Sequence, residues 1–207
     1  MTAILEVKGL EKVYTASLFS RVPTFRLAAD FTISNPAIVG LMGPNGSGKT
    51  TLFELITGSN VPTNGEVLVQ GRNIHKVRTD ERDRLAIHYH QSYQVRHFRS
   101  FIPNVLRQRA GVDYPIVHLF DEPQFNTQDG YIGFMLDFFR KLRGEGRLVF
   151  LCVHPNERFH LDILEEICEQ FMFVQYGSVT KVPSYEALLE LPTVRAYLGD
   201  LLEEKAA

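Results

Sequence analysis

The chain has 207 residues, 44% of them hydrophobic and 22% charged, the balance of a folded domain rather than a disordered one. Lys plus Arg number 22 against 24 Asp plus Glu, and this formal net charge of −2 gives no global electrostatic case for nucleic acid. The two cysteines, Cys152 and Cys168, lie in apolar segments and suggest neither a disulfide framework nor a zinc site, so a reducing compartment is expected.

The opening residues include Glu6, Lys8, Glu11 and Lys12 and lack the apolar core of a secretory signal. No apolar run approaches the roughly 20 residues that span a membrane. Any action at a membrane is therefore expected from the cytosolic side, through a partner. Ile4–Val7 reads as a short strand punctuated by Gly9, and Thr15–Thr24 as an exposed loop. Phe25–Ile33 alternates apolar and polar residues, the period of a half-buried strand. Ala37–Met42 is a continuous apolar run, as in a central strand covered on both faces.

The chain continues with a glycine-rich stretch, and Thr50–Thr57 then shows helical spacing, with Gly58 as its stop. Glu66–Gln70 and Leu85–His90 read as strands, and Pro115–Phe120 as a buried strand ending in Asp121-Glu122. Ile132–Leu142 reads as a helix, Leu148–Val153 as a strand, Asn156–Glu169 as a helix and Phe171–Gln175 as a strand. Tyr185–Leu191 and Val194–Glu204 read as short helices. Strands alternating with helices after residue 40 predict an α/β fold with a mostly parallel sheet and crossovers. No repeat or linker divides the chain, so residues 1–207 are taken as one domain.

The strongest chemical signal is Gly43-Pro44-Asn45-Gly46-Ser47-Gly48-Lys49-Thr50, the phosphate-loop pattern G-x-x-x-x-G-K-[ST] between a buried strand and a helix. Glycines let successive backbone N–H groups point at phosphates, and the following helix adds the positive end of its dipole. Lys49 is placed to reach the β- and γ-phosphates, and the Thr50 hydroxyl to bind Mg²⁺. Asp121, at the end of its strand, suits the second Mg²⁺ contact, and Glu122 is placed to orient and deprotonate a water. Two solvated acids at a strand end would be the default without the loop.

With these residues in hand, the chain resembles the ATP-binding cassette family. Gly43–Thr51 has that family's GPNGSGKTT form and Asp121-Glu122-Pro123 its acidic pair plus proline. The resemblance implies nucleotide contacts from Gly43, Asn45, Gly46, Ser47, Gly48, Lys49, Thr50 and Thr51. It also implies Gln91 as the glutamine touching Mg²⁺ and the attacking water, His154 as the γ-phosphate-sensing histidine and Tyr14 as the ring stacked on adenine. Asp129 would be the acidic residue of the loop after the catalytic glutamate, although that loop is one residue too long. The implied catalytic set is Glu122, His154, Gln91 and Lys49, the metal set Thr50, Gln91 and Asp121, and the cofactors ATP and Mg²⁺. The implied fold is a phosphate-loop NTPase core of the RecA-like type with an N-terminal antiparallel β-subdomain.

One departure stands out. Asp121 follows Gln91 by 30 positions, less than half of what the family spends on a helical subdomain that docks on a permease. Residues 92–114 are therefore expected to form a reduced version. The family's Ser-Gly-Gly-Gln signature is missing, and Ile102–Arg109 is its nearest remnant, with Pro103-Asn104-Val105 where Ser-Gly-Gly would stand. Side chains there would keep backbone donors from a phosphate.

The resemblance implies the ATP-binding subunit of a transport system, cytoplasmic and peripheral to a membrane. A separate permease and a second ATPase subunit or a homodimer would be its partners. A soluble ATPase acting as a switch and a nucleotide-binding module with little hydrolysis stay open. Weaker features receive ordinary readings. His88 and His90 are strand histidines rather than a metal pair, and His118 is a hydrogen-bonded core residue. The Phe134, Phe138, Phe139 cluster is core. The nine Lys/Arg against three acids from Arg72 to Arg109 form a solvated face or meet an acidic partner.

Overall fold

The computed structural model describes residues 2–17, 22–89, 115–123, 125 and 131–202. Its centre is a ten-stranded sheet in the order β5-β4-β1-β2-β10-β9-β3-β8-β7-β6. The strands are β1 (Leu5–Thr15), β2 (Pro23–Ile33), β3 (Ile38–Met42), β4 (Asn64–Val69), β5 (Arg72–Asn73), β6 (Ala86–Tyr89), β7 (Val117–Asp121), β8 (Leu148–Cys152), β9 (Gln170–Gln175) and β10 (Ser178–Val182). The helices are α1 (Lys49–Thr57), α2 (Thr79–Leu85), α3 (Tyr131–Gly144), α4 (Arg158–Ile167), α5 (Tyr185–Glu190) and α6 (Pro192–Leu198), followed by a 3₁₀ turn, Gly199–Leu202.

The side-chain period of two sorts the central strands between two cores. Val39, Leu41, Leu148, Phe150 and Met172 face one cluster, together with α1 and the antiparallel strands. Ile38, Met42, Val149, Leu151, Phe171 and Phe173 face the other, built with α3, α4, α5 and α6. β3, β7 and β8 are buried along their whole lengths, which explains their unbroken apolar sequences. Gly40 faces α4 because a Cβ there would lie 3.2 Å from Cys168 Sγ, Leu164 Cδ2 and Phe171 Cδ1.

The parallel neighbours β9, β3, β8, β7 and β6 form the α/β core, and β1, β2 and β4 pair antiparallel. The two parts make one sheet because β10, antiparallel to β9, also meets β2 at Ser178 and Ala28. The expected fold class holds, with several local differences. β1 is one long strand rather than a short one, its register shifting between Val7 and Leu10. Gly9, at φ 52°, supplies the left-handed backbone that such a bulge requires.

β10 was not expected. It follows a two-residue turn with Tyr176 at φ 50° and Gly177 at φ 73°, the paired positive φ of a type I′ hairpin. α2 was not expected either. Its sequence TDERDRL has no apolar stripe, yet Leu85 is buried, acids occupy its first turn and bases its last, matching the helix dipole. The Phe134, Phe138, Phe139 cluster is only in part core, with Phe139 fully buried but Phe134 41% exposed.

Candidate functional site at the strand ends

In an open parallel sheet, ligands bind beyond the carboxyl ends of the strands. Here β8 lies between β3 and β7, and Cys152 of β8 is level with Leu41 on one side and Asp121 on the other. This register brings three consecutive segments to one edge. They are the loop after β3, the acidic pair ending β7 and His154 after β8.

The loop cannot accept side chains at two of its glycines. Gly43 sits at φ 155°, and a Cβ there would fall 2.0 Å from the Val174 carbonyl oxygen. Gly48, the N-cap of α1, sits at φ 109°, where a Cβ would meet Leu27 Cδ1 and Phe25 Cζ at 2.9 Å. The Ser47 N–H donates to the Pro44 carbonyl (3.2 Å), and the Gly177 N–H of the β9–β10 turn donates to the Ser47 carbonyl (3.1 Å). The hairpin missed in the sequence thus supports the loop.

Lys49 is only 6% exposed. Its Nζ donates to the carbonyls of Gly43 (2.7 Å) and Pro44 (3.0 Å), which bends the ammonium over the loop. An ammonium has three donors, so one remains for an anion. The Ser47 hydroxyl is buried and has no hydrogen-bond partner among the described residues. A buried orphan hydroxyl is costly unless a ligand satisfies it. Together with the glycine cradle, it makes the loop fit a phosphate chain.

Asp121 is 4% exposed. The Thr50 hydroxyl donates to its Oδ2 at 2.9 Å, and His88 Nε2 lies 3.3 Å from the same oxygen. Burial pushes the Asp121 carboxyl up, but hydrogen bonds from His88, Thr50 and Cys152 hold it below its ordinary value. The Cys152 thiol can donate because burial, with Asp121 beside it, raises its own pKa far above the usual value. The carboxylate is therefore ionised, and it shares the Thr50 hydroxyl directly. A hydroxyl and a carboxylate in contact at the end of a phosphate loop are the oxygen ligands that suit Mg²⁺.

Glu122 has φ 49°, a backbone region costing a non-glycine residue of order 1–3 kcal/mol. Its N–H donates to the Cys152 carbonyl at 2.9 Å, which extends the β7–β8 pairing by one residue and fixes the turn in the chain. Thr51 follows Thr50 within the first turn of α1.

His154 Nδ1 lies 2.7 Å from the Tyr197 hydroxyl of α6. Tyr14 stands at the far end of the β1–β2 ladder, paired with Phe25, and their rings are 6.2 Å apart. Asn60 Nδ2 donates to its hydroxyl (2.7 Å), and Lys12 Nζ lies 5.2 Å from its ring centre. A cavity of about 610 Å³ opens against Pro44, Asn45, Gly46 and Ser47, with Arg26, Tyr176 and Tyr197 among its other walls.

The structure thus brings together Gly43, Asn45, Gly46, Ser47, Gly48, Lys49, Thr50, Asp121, Glu122 and His154, with Tyr14 beside Phe25. Gln91, His90, Asp129 and the 92–114 segment lie outside the described residues. Two contacts were missed in the sequence. His88 reads as an ordinary strand histidine, but parallel pairing of β6 with β7 sets its ring against Asp121. Tyr197 gives no signal, because its partner is 43 positions away.

The family model described as ABC transporter matches residues 28–126. The chain is 30% identical over 113 residues to the lipopolysaccharide export system ATP-binding protein LptB of Acidithiobacillus ferridurans, covering 55% of this chain and 41% of that protein. It is 35% identical over 88 residues to the autoinducer 2 import ATP-binding protein LsrA of Enterobacter sp. (strain 638), covering 42% and 17%. These matches span less than half of either relative. Among solved structures, a nucleotide-free ATP-binding cassette from an ABC transporter aligns with a TM-score of 0.69 at 14% identity, covering 95% of this chain and 99% of that one. A dimeric ATP-binding cassette bound to ADP and Pi aligns at 0.62 and 17% identity, covering 86% and 98%. At such identities the alignments speak for the fold, while the family model and the curated relatives speak for similarity over part of the chain. With the phosphate loop and acidic pair seated at adjacent strand ends, the family model and the curated relatives mark residues 28–126 as similar to ABC-transporter ATP-binding proteins, and the solved cassettes share the fold.

Proposed function

We propose that the chain binds Mg·ATP and hydrolyses it as the ATP-binding subunit of an ABC-type transport system. The observation that carries this reading is the contact between Thr50 Oγ1 and Asp121 Oδ2 at 2.9 Å, directly beside a phosphate loop whose Lys49 is bent over it. Mg²⁺, when bound, would neutralise the negative charge that develops on the phosphates. Thr50, Asp121 and Gln91 are the residues that would hold it.

Lys49, the N–H groups of Gly46 and Gly48 and the Ser47 hydroxyl bind and orient the phosphates. Glu122 holds the attacking water and accepts its proton, and His154 donates a hydrogen bond to the γ-phosphate. Tyr14 stacks on the adenine. Positioning and preorganised charge provide most of the acceleration in such chemistry.

The partners proposed are a membrane permease and a second ATP-binding subunit or a second copy of this chain. The location proposed is the cytoplasmic face of a membrane. No helix among the described residues is long and apolar enough to cross one. The short interval between Gln91 and Asp121 favours a second reading, a soluble ATPase switch with no permease.

The absent signature leads to a rate prediction. Loss of one preorganised donor costs ~10²–10³ in rate, so the protein alone should turn over very slowly. Steady-state phosphate release should stay close to that of the Glu122→Gln variant and rise only when a partner is added. Brisk, Glu122-dependent turnover that climbs with the protein's own concentration would overturn the slow-alone reading.

A further inference from the structure

We propose that Tyr197 is a positioning residue for His154, its hydroxyl donating to Nδ1 so that Nε2 carries the ring's proton and is the nitrogen offered to a phosphate oxygen. The inference rests on the proposed role of His154 at the γ-phosphate.

Two arrangements satisfy the 2.7 Å contact. In one, the phenol donates to Nδ1 and the neutral imidazole keeps its proton on Nε2. In the other, Nδ1–H donates to the phenol oxygen and Nε2 presents a lone pair, which repels phosphate oxygens. The second also leaves the phenol proton without an acceptor, since Tyr197 makes no other hydrogen bond among the described residues. The first satisfies both groups. Burial, with Cys152 and Glu122 nearby, pushes the Tyr197 hydroxyl well above its usual pKa, so the phenol keeps the proton it donates. The tautomer of a histidine is set by the hydrogen bond at its other nitrogen.

The position of Tyr197 does not depend on this hydrogen bond. Val194 and Leu198 of α6 are buried, and the Tyr197 ring lies 6.0 Å from that of Phe173 on β9. Arg158 of α4 donates to the Leu201 carbonyl at 3.3 Å, and Arg195 to the Leu189 carbonyl at 2.9 Å. The helix therefore presents the hydroxyl from a packed position, and Tyr197→Phe removes the donor while keeping the ring.

The test has two arms. In the first, nitrogen NMR of histidine-labelled full-length protein, with His154 assigned by its loss in His154→Asn, should show a bare Nδ1 and a protonated Nε2. Tyr197→Phe should shift that pattern towards exchange between tautomers. A protonated Nδ1 in the unsubstituted protein, or an unchanged pattern in Tyr197→Phe, overturns the inference whether or not the chain acts on ATP.

In the second arm, ATP and ADP affinities are measured in the Glu122→Gln background. Tyr197→Phe should weaken ATP by about three- to tenfold, the scale of one hydrogen bond, and leave ADP unchanged. His154→Ala should weaken ATP at least as much, with no further loss in the double variant. Equal losses for ATP and ADP in Tyr197→Phe would show a merely structural role and overturn the inference. An unchanged ATP-to-ADP ratio in His154→Ala would overturn the γ-phosphate role itself, a failure distinct from that of the NMR arm.

Discussion

Tyr14 is 36% exposed and is anchored at its hydroxyl by Asn60, so its ring is presented rather than packed away. Stacking on adenine should be worth on the order of 1 kcal/mol. Tyr14→Ala should therefore weaken ATP by about that amount and leave pyrophosphate unaffected, as measured by calorimetric titration. An equal loss with pyrophosphate would point to a general disturbance of the β1–β2 ladder. Residues of the phosphate loop and the acidic pair were legible in the sequence because their chemistry is local, a glycine pattern and a strand end. His88 and Tyr197 were not, because each acts through a neighbour brought in by strand pairing or helix packing.

β7 carries a titratable group in its buried interior. His118 is fully buried, its ring roughly parallel to those of Tyr89 and Phe120. Its Nε2 lies 2.9 Å from the Pro115 carbonyl, and its Nδ1 lies 3.1 Å from the Tyr89 hydroxyl. Burial pushes its pKa down from 6.5 to about 3. The folded protein thus keeps the ring neutral where the unfolded chain takes up a proton. Stability from this group is full above about pH 6.5 and is lost as pH falls from there towards 3, by roughly 2 kcal/mol at pH 5. His75 and His160 are also lowered by burial, so the slope assigned to His118 is the difference from its Gln variant. His118→Gln should be less stable at pH 7.5, with a gap that narrows towards pH 5 in urea unfolding. Parallel curves would contradict the assignment.

Most elements were readable from period and punctuation, and β3, β7 and β8 from their continuous apolar runs. β10 escaped because its turn uses Tyr176-Gly177 rather than Asn-Gly, and α2 because a polar helix held by one buried leucine leaves no periodic trace.

At the scale of the whole molecule, the sheet order does the assembling. By seating β8 between β3 and β7, it joins a phosphate loop at residue 43 to carboxylates at 121 and 122 and an imidazole at 154, none of which could be placed together from sequence distance alone. The α/β class and the mostly parallel core were legible from the alternation of elements. The single continuous sheet was not, since the junction of β10 with β2 depends on a hairpin the sequence conceals. This strand edge is read as a phosphate-binding site organised by Lys49. Calorimetry of the full chain with Mg·ATP, beside Lys49→Ala, tests it most directly. Binding to the unsubstituted protein should be saturable and at least tenfold weaker in the variant, since Lys49 is the only cationic side chain in the loop and charge-assisted hydrogen bonds are worth about 1.5–3 kcal/mol. Equal affinity in the two proteins, with both shown to be folded, would contradict it.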